Sequence, residues 1–166
     1  MMTEGIARSD SAYAATTSRK PDLLTGLQIV DAIGTGRMAP PPMIGVIPLT
    51  LHAWCEGQVE LRAWPEARFY NHMGMVHGGW SMTVLDTVMG LAALTTLAAG
   101  ESCPSLDTAV KFVKPISVQL GEMRVFGTIV SKGRSIITLD GRIEDASGKL
   151  YAHGSSSCLI APAAKQ

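Results

Sequence analysis

The residues of this sequence that could do chemistry are concentrated between Asn71 and Asp86. Asp86 is the only charged side chain between His77 and Glu101, in a stretch of apolar, small and hydroxyl residues. A carboxylate on a helix that is apolar nearly all round is expected to be desolvated, which disfavours its charged form unless a partner compensates. A buried acid of this kind is a candidate functional residue.

The segment before this acid offers groups that could bind a carbonyl oxygen. The pair Gly78-Gly79 follows His77 at the predicted start of a helix, where backbone N–H groups have no intrahelical partner. Glycine lets the backbone approach a ligand closely, and the helix dipole favours negative charge there. The N–H of Gly78 or Gly79 could therefore hold a developing oxyanion. Taken alone, these glycines are more typical of a tight turn before a capped helix.

Asp86 also has a structural interpretation, as a buried acid bonded to the backbone or to a hydroxyl such as that of Ser105. The spacing between Asp86 and Gly78 also leads to a prediction about assembly. Eight residues cover about 12 Å of one helix, too far for both groups to contact one carbonyl. If both act on one substrate, they come from different chains, as in two antiparallel helices about a two-fold axis. The sequence therefore predicts a homodimer or a dimer of dimers.

Three other motifs are incomplete. The segment Gly34 to Ala39 fits the GxGxxA dinucleotide pattern, but three prolines follow it where a helix should open. Ser81 lies in a near match to the GxSxG nucleophile elbow that lacks the final glycine. His72 and His77 are five residues apart and share no helical face, and no HExxH motif or cysteine cluster accompanies them. We therefore expect no dinucleotide site, no serine triad and no metal.

Composition narrows the class of protein. The 166 residues carry 14 basic and 14 acidic side chains, and without a basic stripe we expect no nucleic-acid partner and no membrane surface. Cys55, Cys103 and Cys158 cannot all pair, which indicates reduced thiols and a cytoplasmic location. Trp80 to Ala99 has the length of a membrane span, but a central Asp costs about 3 kcal/mol on insertion, so a buried helix is expected.

Hydrophobic patterns predict an α+β fold. Helical spacing indicates a short helix from Leu23 to Ile33 and a long apolar helix within Gly78 to Gly100. Strands are predicted at Ile44 to Trp54 and Val59 to Ala63, and alternation from Ser105 onward indicates four more, joined by hairpins. A helix apolar on all sides must be covered on most of its surface, and an antiparallel sheet curled around it does so with one chain.

The chain divides into three segments. Residues 1–20 are rich in Ser, Thr and Ala, lack the apolar region of a secretory signal and are predicted to be a disordered tail. Residues 21–45 hold the N-terminal helix and a proline-rich link, and residues 46–161 form the main domain.

On these residues the chain resembles the hotdog-fold acyl-CoA thioesterases, specifically the PaaI-like group, which resembles phenylacetyl-CoA thioesterase. The resemblance runs from about Pro42 to Ile160. It implies a hotdog fold, an antiparallel sheet wrapped around one long central helix, here with an extra N-terminal helix. The segments that carry it are Asn71-x5-His77-Gly78-Gly79-x6-Asp86, Ser105-Leu106-Asp107, Lys114-Pro115 and Lys132-Gly133-Arg134.

The resemblance implies catalytic roles. The acid Asp86 would serve as general base or nucleophile, and the Gly78 N–H would polarise the thioester carbonyl. Asn71 would position water or the carbonyl, His77 would shape the loop, and Ser105 would help to orient the nucleophilic water.

The resemblance also implies a substrate site. Gly79, Lys114, Lys132 and Arg134 would contact the substrate, the three cations through the phosphates of coenzyme A, although surface charges often have no specific partner. Some members use a Thr one helical turn after the acid, where this chain has Gly90, so that variant is not expected. The family has no metal or bound cofactor, and coenzyme A enters as part of the substrate.

The expected activity is hydrolysis of an acyl or aryl thioester of coenzyme A to the free acid and coenzyme A. A thioester is already an activated acyl group, so an oxyanion donor and a base suffice without a Ser-His-Asp triad. One alternative is a hotdog hydratase or dehydratase. The motifs of those families differ from this chain, in which Gly-Gly follows His77. The other is a non-catalytic protein that binds or senses acyl-CoA.

Overall fold

An antiparallel sheet of six strands packs against one long helix in the computed structural model, which describes residues 24–162. The sheet order is β1-β2-β5-β6-β7-β4, and helix α2 (Gly78–Leu94) contacts five of these strands. A shorter helix, α1 (Gly26–Gly34), precedes the sheet. The strands are β1 (Leu49–Cys55), β2 (Gln58–Ala63), β3 (Glu101–Ser102), β4 (Ser105–Phe112), β5 (Met123–Lys132), β6 (Ile136–Glu144), β7 (Leu150–Leu159) and β8 (Ala161–Pro162). The predicted α+β fold class is confirmed.

The core lies between α2 and the concave face of the sheet. Val84, Leu85, Val88 and Met89 point from the helix into this layer and are 0% exposed. Each fully buried side chain of this size contributes about 1.5–3 kcal/mol relative to an exposed one. The helix backbone comes unusually close to the sheet at Gly127, where an added Cβ would lie 2.6 Å from the Val88 carbonyl oxygen. A side chain at this point of β5 would push the helix off the sheet.

Helix α2 is covered by the sheet on one face and leaves a strip of its surface exposed. Met82 is 43% exposed, and Asp86, one turn later on the same face, is also exposed. The sheet encloses only the opposite face of the helix, so a strip that carries the acid remains open in the single chain. The expectation that Asp86 is buried within one chain was therefore wrong.

Helix α1 closes the β1 edge of the sheet. Thr25 and Gln28 form a capping box, with Gln28 N–H donating to Thr25 Oγ1 at 3.3 Å and Thr25 N–H to Gln28 Oε1 at 3.0 Å. This cap starts the helix at Gly26 rather than at Leu23, which lies outside the described residues. Gly26 N–H donates to the Leu97 carbonyl at 3.0 Å, which ties α1 to the end of α2.

Several boundaries differ from the predicted ones. Strand β1 begins at Leu49 instead of Ile44, because Pro42–Gly45 forms a 3₁₀ turn after the prolines. The short pair β3–β8 was not predicted, since two residues per strand are too few to show alternation. Between residues 24 and 162, no helix is both long and apolar enough to cross a membrane.

Candidate active site

The N-terminus of α2 presents backbone donors from a fixed loop. His77 is the N-cap residue, and its N–H donates to the Phe69 carbonyl at 2.8 Å. Val76 N–H donates to the Ile116 carbonyl at 2.9 Å, so the loop is held at two points before the helix starts. Gly78 and Gly79 are the first helical residues. Their N–H groups have no intrahelical acceptor, because the carbonyl four residues earlier lies outside the helix. These two donors and the helix dipole form a site suited to a negatively charged oxygen.

Gly78 packs against an aromatic ring of β4. A Cβ added at Gly78 would lie 2.9 Å from the Phe112 ring, which is closer than real Cβ contacts come. The absence of a side chain therefore lets β4 approach the helix N-terminus. The His77 side chain is exposed and makes no cap bond to the helix.

Asn71 organises the loop through its side-chain carbonyl. Its Oδ1 accepts hydrogen bonds from Met73 N–H at 2.9 Å and from Met75 N–H at 3.2 Å. The backbone N–H of Asn71 also donates to the Met75 carbonyl at 2.7 Å. Because Oδ1 is engaged, the Nδ2 group is the part of this side chain that is left to contact a substrate.

Asp86 is held through one of its two carboxylate oxygens. Ser105 Oγ donates to Asp86 Oδ1 at 2.9 Å, and Thr108 Oγ1 donates to the same oxygen at 3.1 Å. Both hydroxyls come from β4, across from the helix. The second oxygen, Oδ2, receives neither bond and is open to a water molecule or a substrate. The arrangement fixes the direction of the carboxylate while leaving one basic atom free.

Sequence reasoning missed Thr108, and a β-bulge explains why. Residues three apart in a regular strand point to opposite faces, so Ser105 and Thr108 should not share a partner. The register of β4 on β7 slips between Ser105 and Asp107, which inserts Leu106 as an extra residue and turns both hydroxyls toward Asp86. Ser156 Oγ lies 3.2 Å from Thr108 Oγ1 and helps to fix its position.

Two cysteines lie beside this site. Burial raises the pKa of Cys158, and the charges of Asp86 and Asp107 raise it further. Burial and the neighbouring Cys158 raise the pKa of Cys103 to about 11, and its Sγ lies 3.7 Å from the Gly90 carbonyl oxygen. Both thiols are therefore protonated near neutral pH and are poor nucleophiles there.

The three cations expected at the substrate are not brought together. Lys132 Nζ donates to the Thr96 carbonyl beyond the C-terminal end of α2. Lys114 follows β4, whose last residue Phe112 lies at the opposite end of that helix. Arg134 is exposed in the turn after β5. No group of three or more His, Cys, Asp or Glu side chains that could hold a metal occurs in residues 24–162.

Comparison with known proteins identifies the class. Residues 73–152 match the family model of the thioesterase superfamily. A protein of Saccharolobus solfataricus named as an esterase is 32% identical over 92 residues, which cover 55% of this chain and 64% of the relative. This match thus spans less than two thirds of the length of the curated relative.

Solved structures share the fold. A Ralstonia eutropha protein described as a thioesterase related to phenylacetic acid degradation is 25% identical, with a TM-score of 0.73 over 78% of this chain and 98% of that one. A Streptococcus mutans protein with acetyl-CoA bound is 19% identical, with a TM-score of 0.63 over 70% of this chain and 91% of that one.

The fold matches that of hotdog-fold thioesterases, and the part of the chain that matches the thioesterase superfamily model includes α2 and strands β3 to β6. The resemblance to the PaaI-like thioesterases, stated above from the sequence, is confirmed by the same matches.

Proposed function

We propose that this protein hydrolyses acyl thioesters of coenzyme A, with Asp86 as general base or nucleophile and the Gly78 N–H as oxyanion donor. The observation that carries the proposal is the carboxylate of Asp86, oriented through Oδ1 by two hydroxyls with Oδ2 left free. The thioesterase family match supports the reaction class, and a structural neighbour that binds acetyl-CoA supports the substrate class.

The chemistry follows from these groups. If Asp86 acts as base, Oδ2 takes a proton from water while the water oxygen attacks the thioester carbonyl. The negative charge that develops on the carbonyl oxygen is stabilised by the helix N-terminus at Gly78 and Gly79. The C–S bond then breaks, and the leaving thiolate accepts the proton to give the free acid and coenzyme A. The reaction needs no metal or further cofactor.

A second copy of the chain completes the proposed site. Gly78 and Asp86 lie about 12 Å apart along α2, so one carbonyl cannot contact both groups of one helix. The strip around Asp86 is apolar and open, with Met82, Leu106 and Phe112 between 43% and 58% exposed. Strand β4 is also an edge strand, with one side unpaired. A two-fold contact over β4 and this strip would bury the apolar residues and bring Gly78 of one chain to Asp86 of its partner.

The remaining residues have supporting roles in the proposal. Asn71 Nδ2 would contact the substrate carbonyl or a water molecule, while His77 shapes the loop before the helix. Ser105 would act with Thr108 in orienting Asp86. Coenzyme A would be held at its phosphates by exposed cations. Lys114 and Arg134 lie near opposite ends of α2 in one chain, so they would reach one substrate only from two chains of an antiparallel dimer. The free state of all three cysteines fits a cytoplasmic enzyme.

The first test is thiol release from acetyl-, hexanoyl-, octanoyl-, palmitoyl- and phenylacetyl-CoA by the wild type and by Asp86→Asn. We expect kcat for the best ester to fall about 10³-fold in the variant, because the amide cannot accept the proton, with substrate binding retained. Asp107→Asn is the matched control, since Asp107 is an exposed acid of β4 whose side chain provides neither of the hydrogen bonds to Asp86.

Two outcomes would contradict the proposal. If the wild type binds every ester but releases no thiol, the protein is a binding or sensing protein. If Asp86→Asn and Asp107→Asn both keep wild-type kcat, the acid has only a structural role.

The shared site is tested by mixing two inactive variants. Gly78→Pro removes the N–H while proline is tolerated at the first helical position, and Asp86→Asn removes the base. If each site takes Gly78 from one chain and Asp86 from the other, half the dimers in an equal mixture are mixed and each has one intact site. The mixture then regains about a quarter of wild-type activity. A site within one chain predicts no recovery. Gly78→Ala controls for the new contact with Phe112, because it adds a Cβ and keeps the N–H.

A further inference from the structure

A partly open apolar chamber lies at the opposite side of α2 from β4. Its volume is about 260 Å³, and it is formed by α1, the proline-rich link, strands β1 and β2 and helix α2. None of its lining residues is charged. The residues that line it include Ile33, Pro40, Ile44, Leu51, Thr87 and Leu91.

The chamber is suited to an apolar group of limited size. Thr87 is one of the two polar side chains in the chamber wall. Its hydroxyl donates to the Thr83 carbonyl at 2.7 Å, so it does not need a hydrogen bond from a ligand. The chamber floor is formed by Leu49 and Leu61, which are buried in the core. A cavity of about 150 Å³ with apolar walls accepts benzene. A chamber of 260 Å³ therefore has room for an aromatic ring with a short linker, or for an aliphatic chain of similar volume.

Helix α2 connects the chamber to the candidate catalytic acid. Thr87 follows Asp86 directly, and Leu91 lies one turn further along the chamber wall. At about 100° per residue, Gly90 lies between Asp86 and Leu91 around the helix circumference. A Cβ added at Gly90 would meet nothing within 4 Å. The missing side chain thus leaves an open path over the helix surface from the acid to the chamber.

We propose that this chamber binds the apolar acyl tail of the substrate, a single aromatic ring or a medium-length chain, and that Gly90 is the residue that gives the tail access to it. This inference rests on the proposed function, because it takes Asp86 as the position of the reacting carbonyl. The N-terminal helix then determines specificity, although it carries none of the proposed catalytic groups.

Two variants test the proposal, one that fills the chamber and one that blocks the path to it. Ile44→Trp adds an indole to the chamber, and Gly90→Leu places a side chain across the path at a helix position that favours leucine over glycine. For both variants we expect the ratio of kcat/KM for octanoyl-CoA to that for acetyl-CoA to fall at least about tenfold, the usual size of steric discrimination in an apolar pocket. The same fall is expected for phenylacetyl-CoA.

Leu120→Trp is the matched control. Leu120, like Ile44, is a half-buried apolar residue of a 3₁₀ turn, but it does not line the chamber. An unchanged substrate ratio in Ile44→Trp and Gly90→Leu, in folded protein with wild-type oligomeric state, would overturn the chamber while leaving the thioesterase proposal standing.

Calorimetric binding of octanoyl-CoA and acetyl-CoA separates the two proposals. If the wild type releases no thiol, the proposed function fails, and the binding ratio still tests the chamber. Weaker octanoyl-CoA binding by both variants, with acetyl-CoA binding less affected, supports the chamber in that case. Equal binding by wild type and variants overturns it.

Discussion

The two edges of the sheet differ in what packs against them. At the β1 edge, α1 and the proline-rich link of the same chain pack against the sheet and form an apolar chamber with it. At the β4 edge nothing in the described part of the chain covers the strand, which carries both hydroxyl partners of Asp86. Under the proposed function, the chain itself completes the β1 edge and a second copy completes the β4 edge.

The exposed side chains agree with this division. Leu106 and Phe112 of β4 are 58% and 56% exposed, and β4, like β1, is an edge strand of the sheet formed by the described residues. An apolar edge strand left in water is a site for association with another chain. On β1, Leu49 is 4% exposed, and Leu51 and Trp54 are half-buried against the core. The two proposals made above thus place assembly and chemistry at β4, and substrate selection at the β1 side.

Leu106→Lys should have the largest effect, because it places a charge in the proposed contact between two chains. We expect the dimer dissociation constant to rise about 100-fold, or roughly 3 kcal/mol, and activity to fall with it. Analytical ultracentrifugation measures the change. Val130→Lys is the control, since Val130 is 61% exposed on β5, away from the β4 edge. A dimer that is unaffected by Leu106→Lys would place the interface elsewhere.

Gly26→Ala should have the second largest effect, because it disturbs the packing of α1 at the β1 edge. A Cβ at this position would lie 1.7 Å from the Leu94 carbonyl oxygen, so α1 must move away from α2. We expect a loss of about 2–3 kcal/mol in the free energy of unfolding, measured with urea. Gly45→Ala is matched to it, since an added Cβ there meets nothing. Equal stability of the two variants would show that α1 does not hold the edge closed.

Removing single hydroxyls at the open edge should have the smallest effect. Ser105→Ala and Thr108→Val each delete one hydrogen bond to Asp86, and we expect kcat to fall about tenfold in each with little change in KM. The double variant should lose less than the product of the two, because both hydroxyls bind one oxygen. Ser155→Ala, at an exposed serine of β7, should have wild-type kinetics. Wild-type kcat in the double variant would mean that the orientation of Asp86 does not limit the reaction.

Sequence patterns predicted β5 and β6 because each has one apolar and one polar face. They also predicted Asp86 and the start of α2 at Gly78, since a lone acid and a glycine pair stand out in an apolar stretch. Thr108 was missed because local alternation assigns it to the other face, and only the slip of register on β7 reverses that. The exposure of Asp86 was also missed, because an apolar helix composition does not reveal which face the sheet leaves open.

The sequence by itself determined the fold class, the family resemblance and the group of residues from Asn71 to Asp86, because these depend on residue type and on spacing along one chain. Tertiary structure alone decided which hydroxyls hold Asp86 and that α1 encloses a chamber on the other side of the same helix. Both features depend on contacts between elements far apart in sequence, namely β4 with α2 and α1 with β1, and such contacts leave no periodic signal in either segment.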